Sequence, residues 1–600
     1  MKKFLPISKS DLKQRGWKDL DVIIITGDAY VDHPSYGAAV IGRVLEKNGF
    51  KVGIISQPDW KDARDFQKLG KPKLFFGITA GNVDSMIANY TANKKPRKED
   101  DYSPVKDGQG RPDRATIVYA NRVREAFGDV PIVIGGLEAS MRRLAHYDYW
   151  SNSVRRSLLL DARADILVYG MGETQLLEIG KRLKKGKPVS SLDNIRGTAV
   201  VRKEVKIFKD TVSVPGFEVI KEDKARFTSA FKLAHSNQNP FTAHTLIQKH
   251  GNRYVVVFPP SLPLKQNELD KIYELPYVRE AHPVYKKFGD VKGLETVKFS
   301  MISHRGCCGE CSFCSLYFHQ GRVVQSRSPA SLTREAQTLS KMPDFKGTIT
   351  DIGGPTANMY LADCKLWKEK GGCENKSCLF PVKCKNFKTG YSESIRLYKK
   401  IRKLPGINHL FIASGFRHDL LCDDDAEKYL EEICRYHISG QLKVAPEHMF
   451  DNILELMNKP SVKTYDRFLG KFSRVNSKLE KKCYLVNYFI SAFPGSSLRD
   501  GFGFGLNLLK RRMHPEQVQD FIPLPMTSAA CMYYTGEHPF TGKSLYVSKN
   551  ITERKTQRAL LQSKNKANRS LIIKALKDLK AENQIKIFFP KKNSLHKKNQ

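Results

Sequence analysis

Residues 305–318 read RGCCGECSFCSLYF. Cys307, Cys311 and Cys314 stand in the spacing C-x3-C-x2-C, directly after the apolar run VKFSMIS (297–303). Three thiolates on one short loop can converge on a single metal centre, and Gly306 and Gly309 let the backbone wrap closely around it. A structural zinc site is usually built from paired knuckles and four ligands, so zinc here would need Cys308 or His304 as a fourth donor. A bacterial ferredoxin run needs a further cysteine where this chain has Phe318, which excludes that pattern.

Working outward, VKFSMIS is the first of six short apolar runs. The others are GTITDIG (347–353), HLFIAS (409–414), QLKVA (441–445), YLVNYFISA (484–492) and VQDFIPL (518–524), with helical stretches between them, such as 391–403 and 463–479. Six β/α units predict most of a parallel barrel, with function at the carboxyl ends of its strands. Upstream, DVIIIT (21–26), KVGIIS (51–56), KLFFGIT (73–79), PIVIGG (131–136) and DILVYG (165–170) alternate with helical patterns. That alternation predicts a doubly wound parallel sheet whose ligands sit at the strand carboxyl ends. The expected organisation is an α/β doubly wound N-terminal domain over 1–185 and a connecting subdomain over 186–295. A partial (β/α)6 barrel core follows over 296–550, with a Cys-rich insertion at 361–390, and then a basic, partly disordered tail over 551–600.

Composition narrows the class. Six hundred residues exceed one compact core, and a hydrophobic fraction of 40 % excludes a wholly disordered chain. The initial apolar run FLPI is too short for a signal-peptide core, and no stretch approaches the ~20 apolar residues of a membrane span, so a soluble cytoplasmic protein is expected. In a reducing compartment, clustered cysteines bind metal or do chemistry rather than form disulfides. The net charge of +39 suits a polyanion such as RNA, or a Lys-rich solvated surface.

The motif at 307–314 resembles that of the radical S-adenosylmethionine (SAM) superfamily, where C-x3-C-x2-C holds a [4Fe–4S] cluster through three irons. The resemblance implies that the fourth iron takes the amino and carboxylate groups of SAM. Reductive cleavage then yields a 5′-deoxyadenosyl radical that abstracts a substrate hydrogen. It also places SAM's amino group on Gly353, Gly354 and Pro355, in the turn DIGGPTAN (351–358) after the second barrel strand. Further segments, namely QSRS (325–328), LKVAPEHM (442–449), YFISAFPGSS (488–497), VQDFIPLPM (518–526), GDAYVDHPSYG (27–37) and GGLEASMRRLAHYDYW (135–150), are similar to the YgiQ-type radical SAM proteins. That likeness runs from about residue 10 to about residue 570 and leaves substrate and reaction unassigned. It implies a reductase partner of the flavodoxin or ferredoxin kind. Cys308 departs from the family pattern, where a non-thiol residue is more usual.

Ser414 and Arg417 follow the third barrel strand, and Glu447 and His448 follow the fourth; both pairs are expected to face the barrel mouth. A second cysteine group, Cys364, Cys373, Cys378 and Cys384, has the spacing C-x8-C-x4-C-x5-C in a Lys-, Gly- and Pro-containing loop. Such a loop has no core of its own to bury thiols, so an auxiliary iron–sulfur cluster is expected, with a four-cysteine zinc site or free thiols as the alternatives. Cys422, Cys434, Cys483 and Cys531 are isolated and read as structural. The N-terminal domain resembles the cobalamin-binding-like domain fused to some radical SAM enzymes. It lacks the D-x-H-x-x-G offsets of a cobalt-ligating histidine, so His33 is read as a turn or substrate residue and cobalamin is not expected as a cofactor. The competing functional reading is a non-catalytic, metal-stapled nucleic-acid-binding or redox-sensing protein.

Overall fold

β-Branched residues dominate the apolar runs of the first third, and each run becomes a short strand covered on both faces. In the computed structural model, which describes residues 3–104, 110–205, 210–479 and 481–590, the strand Val22–Thr26 is buried along its whole length. Val22 and Ile24 face one layer, with Val44, Leu45 and Ile179 from the helices Gly37–Lys47 and Glu173–Lys184. Ile23 and Ile25 face the other, with Tyr119 and Val123 from the helix Ala115–Phe127. At about 1.5–3 kcal/mol each, these four side chains represent roughly 6–12 kcal/mol of gross hydrophobic driving force.

The strands Val52–Ser56, Val22–Thr26, Phe75–Thr79, Ile132–Gly135 and Ile166–Val168 lie side by side in that order, all parallel. This is the doubly wound order 2-1-3-4-5, whose topological switch point falls between Val22–Thr26 and Phe75–Thr79. The segment read as a connecting subdomain has no sheet of its own. Its strands Thr198–Arg202, Arg253–Val257, Thr245–His250 and Thr211–Val214 continue the same sheet to nine strands, entering antiparallel to Ile166–Val168. Strand-like patterning is visible at TAVV (198–201) and RYVVV (253–257), but it does not show which edge those strands extend, and Thr211–Val214 and Thr245–His250 carry no comparable signal.

In the second half, Ser300–Ile302 pairs with Asp351–Gly353 and Thr348–Ile349 with His409–Leu410, in both cases parallel. A parallel bridge from Phe416 to Val444 leads to Gln441–Glu447, Tyr484–Ser491 and Val518–Asp520. The six units therefore occur in chain order, as a parallel partial barrel wrapped by helices such as Tyr391–Arg402 and Val462–Ser477.

In the basic region expected over 551–600, the helical run SLIIKALKDLK (570–580) does form a helix, and residues up to 590 pack on the barrel rather than trailing as a tail. Ile551–Leu561 packs on Leu498–Lys510 and Val518–Asp520, and Arg569–Asp578 packs in turn on Ile551–Leu561. Arg554 is fully buried and donates to the Phe521 carbonyl. The second helix exposes Lys574 and Lys577, while the inner faces of the pair bury Leu560, Leu561, Ile572 and Leu576. The last run, KKNSLHKKNQ (591–600), lies outside the described residues. The C-terminal part also reaches the first half, where Tyr534 stacks on Tyr147 with ring centroids 4.9 Å apart. Among the described residues no helix is long and apolar enough to cross a membrane.

Candidate active site

The cysteine loop leaves the first barrel strand through Gly306, whose φ of +82° and contact with the Val323 carbonyl leave no room for a side chain. Cys307 N–H donates to the Gly321 carbonyl at 3.1 Å and Cys314 N–H to the Cys311 carbonyl at 3.0 Å, closing a tight turn. Arg417 reaches in from the third β/α unit. Its guanidinium is held bidentately by Asp419 (3.0 and 2.9 Å), and its Nη1 lies 3.6 Å from Cys311 Sγ. A Cβ on Gly309 would stand 2.6 Å from that same Nη1, so the glycine admits the guanidinium to the loop. Cys307 Sγ lies 3.7 Å from Thr356 Oγ1 and 3.9 Å from Met359 Sδ, which ties the loop to the glycine turn.

Burial pushes the thiols of Cys307 and Cys314 up, and the neighbouring Cys311 adds to both; at Cys307 the Arg417 cation opposes the rise. The three predicted ligands are thus mutual, half-buried neighbours with one cation at their edge. Among the described residues no group of three or more His, Cys, Asp or Glu side chains is arranged to hold a metal ion as it stands. The donor set nevertheless fits an iron–sulfur cluster. A cluster is held by soft thiolates, and its cysteines bind separate irons, so their sulfurs stand farther apart than ligands of one ion. With the Cys307 and Cys314 thiols pushed up, cluster binding there would release their protons.

The predicted SAM turn sits beside the loop. A Cβ on Gly353 would strike the Ser414 hydroxyl, and one on Gly354 would stand 2.5 Å from the His304 ring. Both positions are therefore close-packed floor rather than loose turn. His304 is fully buried, its Nδ1 2.8 Å from Ser303 Oγ, and burial drives its pKa down to about 4, so the ring is neutral. Its Nε2 makes no hydrogen bond. Asp351 accepts the N–H groups of Ala413 and Ser414 at 2.8 and 3.2 Å, pinning the third strand against the glycine turn.

Of the four polar residues expected at the mouth, three are there. Ser414 lines the cavity described below, Arg417 meets the cysteine loop, and Glu447 neighbours Cys314 and lies 3.7 Å from Lys459 Nζ. Glu447 adopts a φ of +70° where the fourth strand bulges, a strained conformation for a non-glycine. His448 is the correction. It is buried against Phe504, with ring centroids 4.2 Å apart, and accepts the Phe450 N–H at 3.2 Å. The bulge turns Glu447 toward the mouth and leaves its neighbour in the core.

A cavity of about 510 Å³ joins the glycine turn to the carboxyl ends of the N-terminal sheet. Gly353, Gly354, Pro355 and His304 line it from the barrel, and Asp28, Tyr36, Asn82 and Gly136 line it from the loops at the switch point. Asp28 is buried, which raises its carboxyl to about 6 against the opposing Arg111 guanidinium 3.0 Å away. The Tyr36 hydroxyl is buried without a hydrogen-bond partner. His33 is not among these lining residues. Its Nδ1 accepts the Ser35 N–H at 3.0 Å and its Nε2 lies 3.0 Å from Arg279 Nη1, which makes it a turn residue.

The two halves lock together at the cysteine loop. Arg305, two residues before Cys307, pairs with Glu173 at 2.5 Å and donates from Nε to the Tyr273 hydroxyl at 2.7 Å, with both charged groups nearly excluded from solvent. Ser140 Oγ lies 3.0 Å from His319 Nδ1 on the helix following the loop and also accepts the Gly170 N–H at 3.2 Å. The turns GGLEAS and GMGE thus brace the loop from outside the barrel. Sequence reading did not single out Arg305, Glu173 or Asp28 and took His304 only as a possible zinc donor; an arginine immediately before a glycine–cysteine run was the one local hint. The four cysteines of the second group line one small cavity, with Cys364 and Cys378 buried and Cys373 and Cys384 half-buried. Cys422, Cys434, Cys483 and Cys531 are buried in the cores, as expected for structural residues.

Comparison with known proteins agrees with this layout. A family model described as Radical SAM N-terminal matches residues 4–300, one described as Radical SAM superfamily matches 301–500, and a domain of unknown function, DUF3362, matches 516–587. A UPF0313 protein of Methanocella arvoryzae is 49 % identical over 99 % of both chains. One of Clostridium botulinum is 50 % identical over 96 % of this chain and 89 % of its own. Among solved structures, the radical SAM methyltransferase TsrM of Kitasatospora setae aligns at 14 % identity and a TM-score of 0.48, covering 85 % of this chain and 76 % of that one. The cobalamin-dependent radical SAM enzyme OxsB aligns at 12 % and 0.47, covering 89 % and 59 %. With half its residues shared along nearly its whole length, this chain belongs to the UPF0313 family and carries that family's radical SAM domain.

Proposed function

We propose that the protein is a radical SAM enzyme whose [4Fe–4S] cluster is held by Cys307, Cys311 and Cys314, with SAM on Gly353, Gly354 and Pro355. The observation that carries this reading is the abutment of the cysteine loop on the glycine turn, through Cys307 Sγ and Thr356 Oγ1 at 3.7 Å, at the mouth of a parallel barrel. Bound there, the cluster and SAM supply one-electron cleavage of a C–S bond and, from it, hydrogen abstraction from a substrate.

The protein's own residues prepare the site. Arg417 places a positive charge 3.6 Å from Cys311 Sγ, where it would offset the negative charge of a thiolate-held cluster. The bare Gly353–Gly354 floor brings backbone groups within reach of a ligand, and neutral His304 borders that floor with a free ring nitrogen. The 510 Å³ cavity continues from the floor to Asp28 and Tyr36, and this is the volume we assign to substrate. The electron comes from a separate reductant of the flavodoxin or ferredoxin kind.

The test is to reconstitute the protein anaerobically, add dithionite and SAM, and measure 5′-deoxyadenosine, with Cys314→Ala as control. Product that depends on Cys314 is expected. No product, or product indifferent to the substitution, favours the non-catalytic metal-stapled reading instead. Cobalamin is tested separately: a corrin spectrum retained after reconstitution would reassign the cavity from substrate to cofactor.

A further inference from the structure

The insertion at 361–390 folds back onto the cysteine loop rather than into solvent. Arg322 donates from Nη1 to the Cys373 carbonyl at 3.0 Å and from Nη2 to the Lys376 carbonyl at 3.3 Å, and the same Nη2 pairs with Glu310 of the cysteine loop at 2.6 Å. One guanidinium thus clamps the two cysteine-bearing loops together. Cys308, Cys364 and Cys378 sit in one buried cluster, and Met359 Sδ lies 3.9 Å from the sulfurs of both Cys307 and Cys308. Cys308, the residue that departs from the radical SAM pattern, faces the second cysteine group.

We infer that Cys364, Cys373, Cys378 and Cys384 bind a second metal centre, a soft metal held by four thiolates, packed against the back of the three-cysteine loop.

Two independent observations point to a ligand. All four cysteines line the same small cavity, although they are spread over 21 residues of a loop with only one helix, Lys365–Lys370. Trp367 lines it too. The indole is 2 % exposed, and its Nε1–H makes no hydrogen bond to any oxygen or nitrogen, with the Cys378 sulfur as its neighbour. A buried N–H left unmatched costs about 1–3 kcal/mol, whereas one aimed at a metal-bound thiolate is satisfied and steadies the charge. The Ser377 hydroxyl lines the same cavity and is also buried without a hydrogen-bond partner. Four thiols with donors turned toward them suit an anionic metal–thiolate centre better than an apolar core. Binding on this reading draws the loop inward and releases the thiol protons.

The shared chemistry is tetrathiolate ligation, and the metal is either iron with sulfide or a single zinc ion. The experiment is elemental analysis of iron, zinc and acid-labile sulfide in anaerobically purified full-length chain. It compares wild type, the triple variant Cys307→Ala/Cys311→Ala/Cys314→Ala, and that triple with Cys364→Ser and Cys378→Ser added. The triple variant is expected to keep one centre per chain, either about four irons with sulfide or about one zinc without it, and the further substitutions should remove it. A folded triple variant holding no metal, or metal unchanged by the added substitutions, overturns the proposal. Should the triple variant fail to fold, Cys373→Ser alone, at a half-buried position, must lower wild-type metal by that one centre; unchanged content would likewise overturn it. The first site is read independently, through 5′-deoxyadenosine, so the two readings fail separately.

Discussion

Replacing Glu173 by Gln isolates the hold of the N-terminal sheet on the cysteine loop. Glu173 and Arg305 are 2.5 Å apart with side chains 5 % and 3 % exposed, so water cannot take over the lost interaction. Removing one partner of such a pair costs about 3–5 kcal/mol, because the remaining charge stays buried. Gln keeps an acceptor oxygen and Arg305 keeps the Tyr273 hydroxyl, which places the expected loss near 3 kcal/mol. At about 1.4 kcal/mol per tenfold, that is roughly a hundredfold in the equilibrium for opening the loop. A chain of this size need not unfold in one step, so the appropriate readout is local. Amide hydrogen exchange over 304–322 should speed up by about that factor, and the visible iron–sulfur absorbance should be lost at lower urea. The double variant Glu173→Gln/Arg305→Met should recover part of the loss, since no unpaired charge remains. Exchange within threefold of wild type, with no coupling between the two substitutions, would refute the claim that this pair braces the loop.

Three further outcomes are expected. Asp28 holds its proton to about pH 6 when folded against 3.8 when free, so the folded state binds the extra proton and stability falls as pH rises between those values. Asp28→Asn should therefore gain on wild type by up to about 3 kcal/mol across that window, read from urea midpoints; a pH-independent difference would contradict the assignment. Gly354→Ala should weaken SAM binding at least tenfold in equilibrium dialysis while iron content holds, because the methyl group meets the His304 ring; undiminished binding would remove the glycine turn from the SAM site. Arg417→Lys should make the cluster's midpoint potential more negative in a redox titration, since a strongly hydrated point charge replaces the planar cation fixed beside Cys311, and an unchanged potential would show the guanidinium to be electrostatically silent.

Much of the architecture was legible because it is local. Short β-branched runs between amphipathic helices imply parallel α/β layers whatever lies around them, and both halves appear where that pattern placed them. The residues 198–257 misled because a strand carries no mark of the sheet edge it will extend. Residues 551–590 misled because net charge is a property of the outer face, whereas Arg554 and Leu560 are placed by the inner one.

The site divides along the same line. C-x3-C-x2-C and Gly-Gly-Pro are covalent spacings, so three thiols on one loop and a bare turn after the next strand follow from sequence alone, as does a second group of four thiols. What the tertiary structure decided is everything that depends on residues far apart in the chain. Arg417 reaches Cys311 across 106 positions, Glu173 reaches Arg305 across 132, and Asp28 and Gly354 share one cavity. Buried charge pairs and cavities form where separate layers meet, and the energies that fix them come from burial, which no local window contains. Sequence therefore named the chemistry, and packing decided which groups surround it.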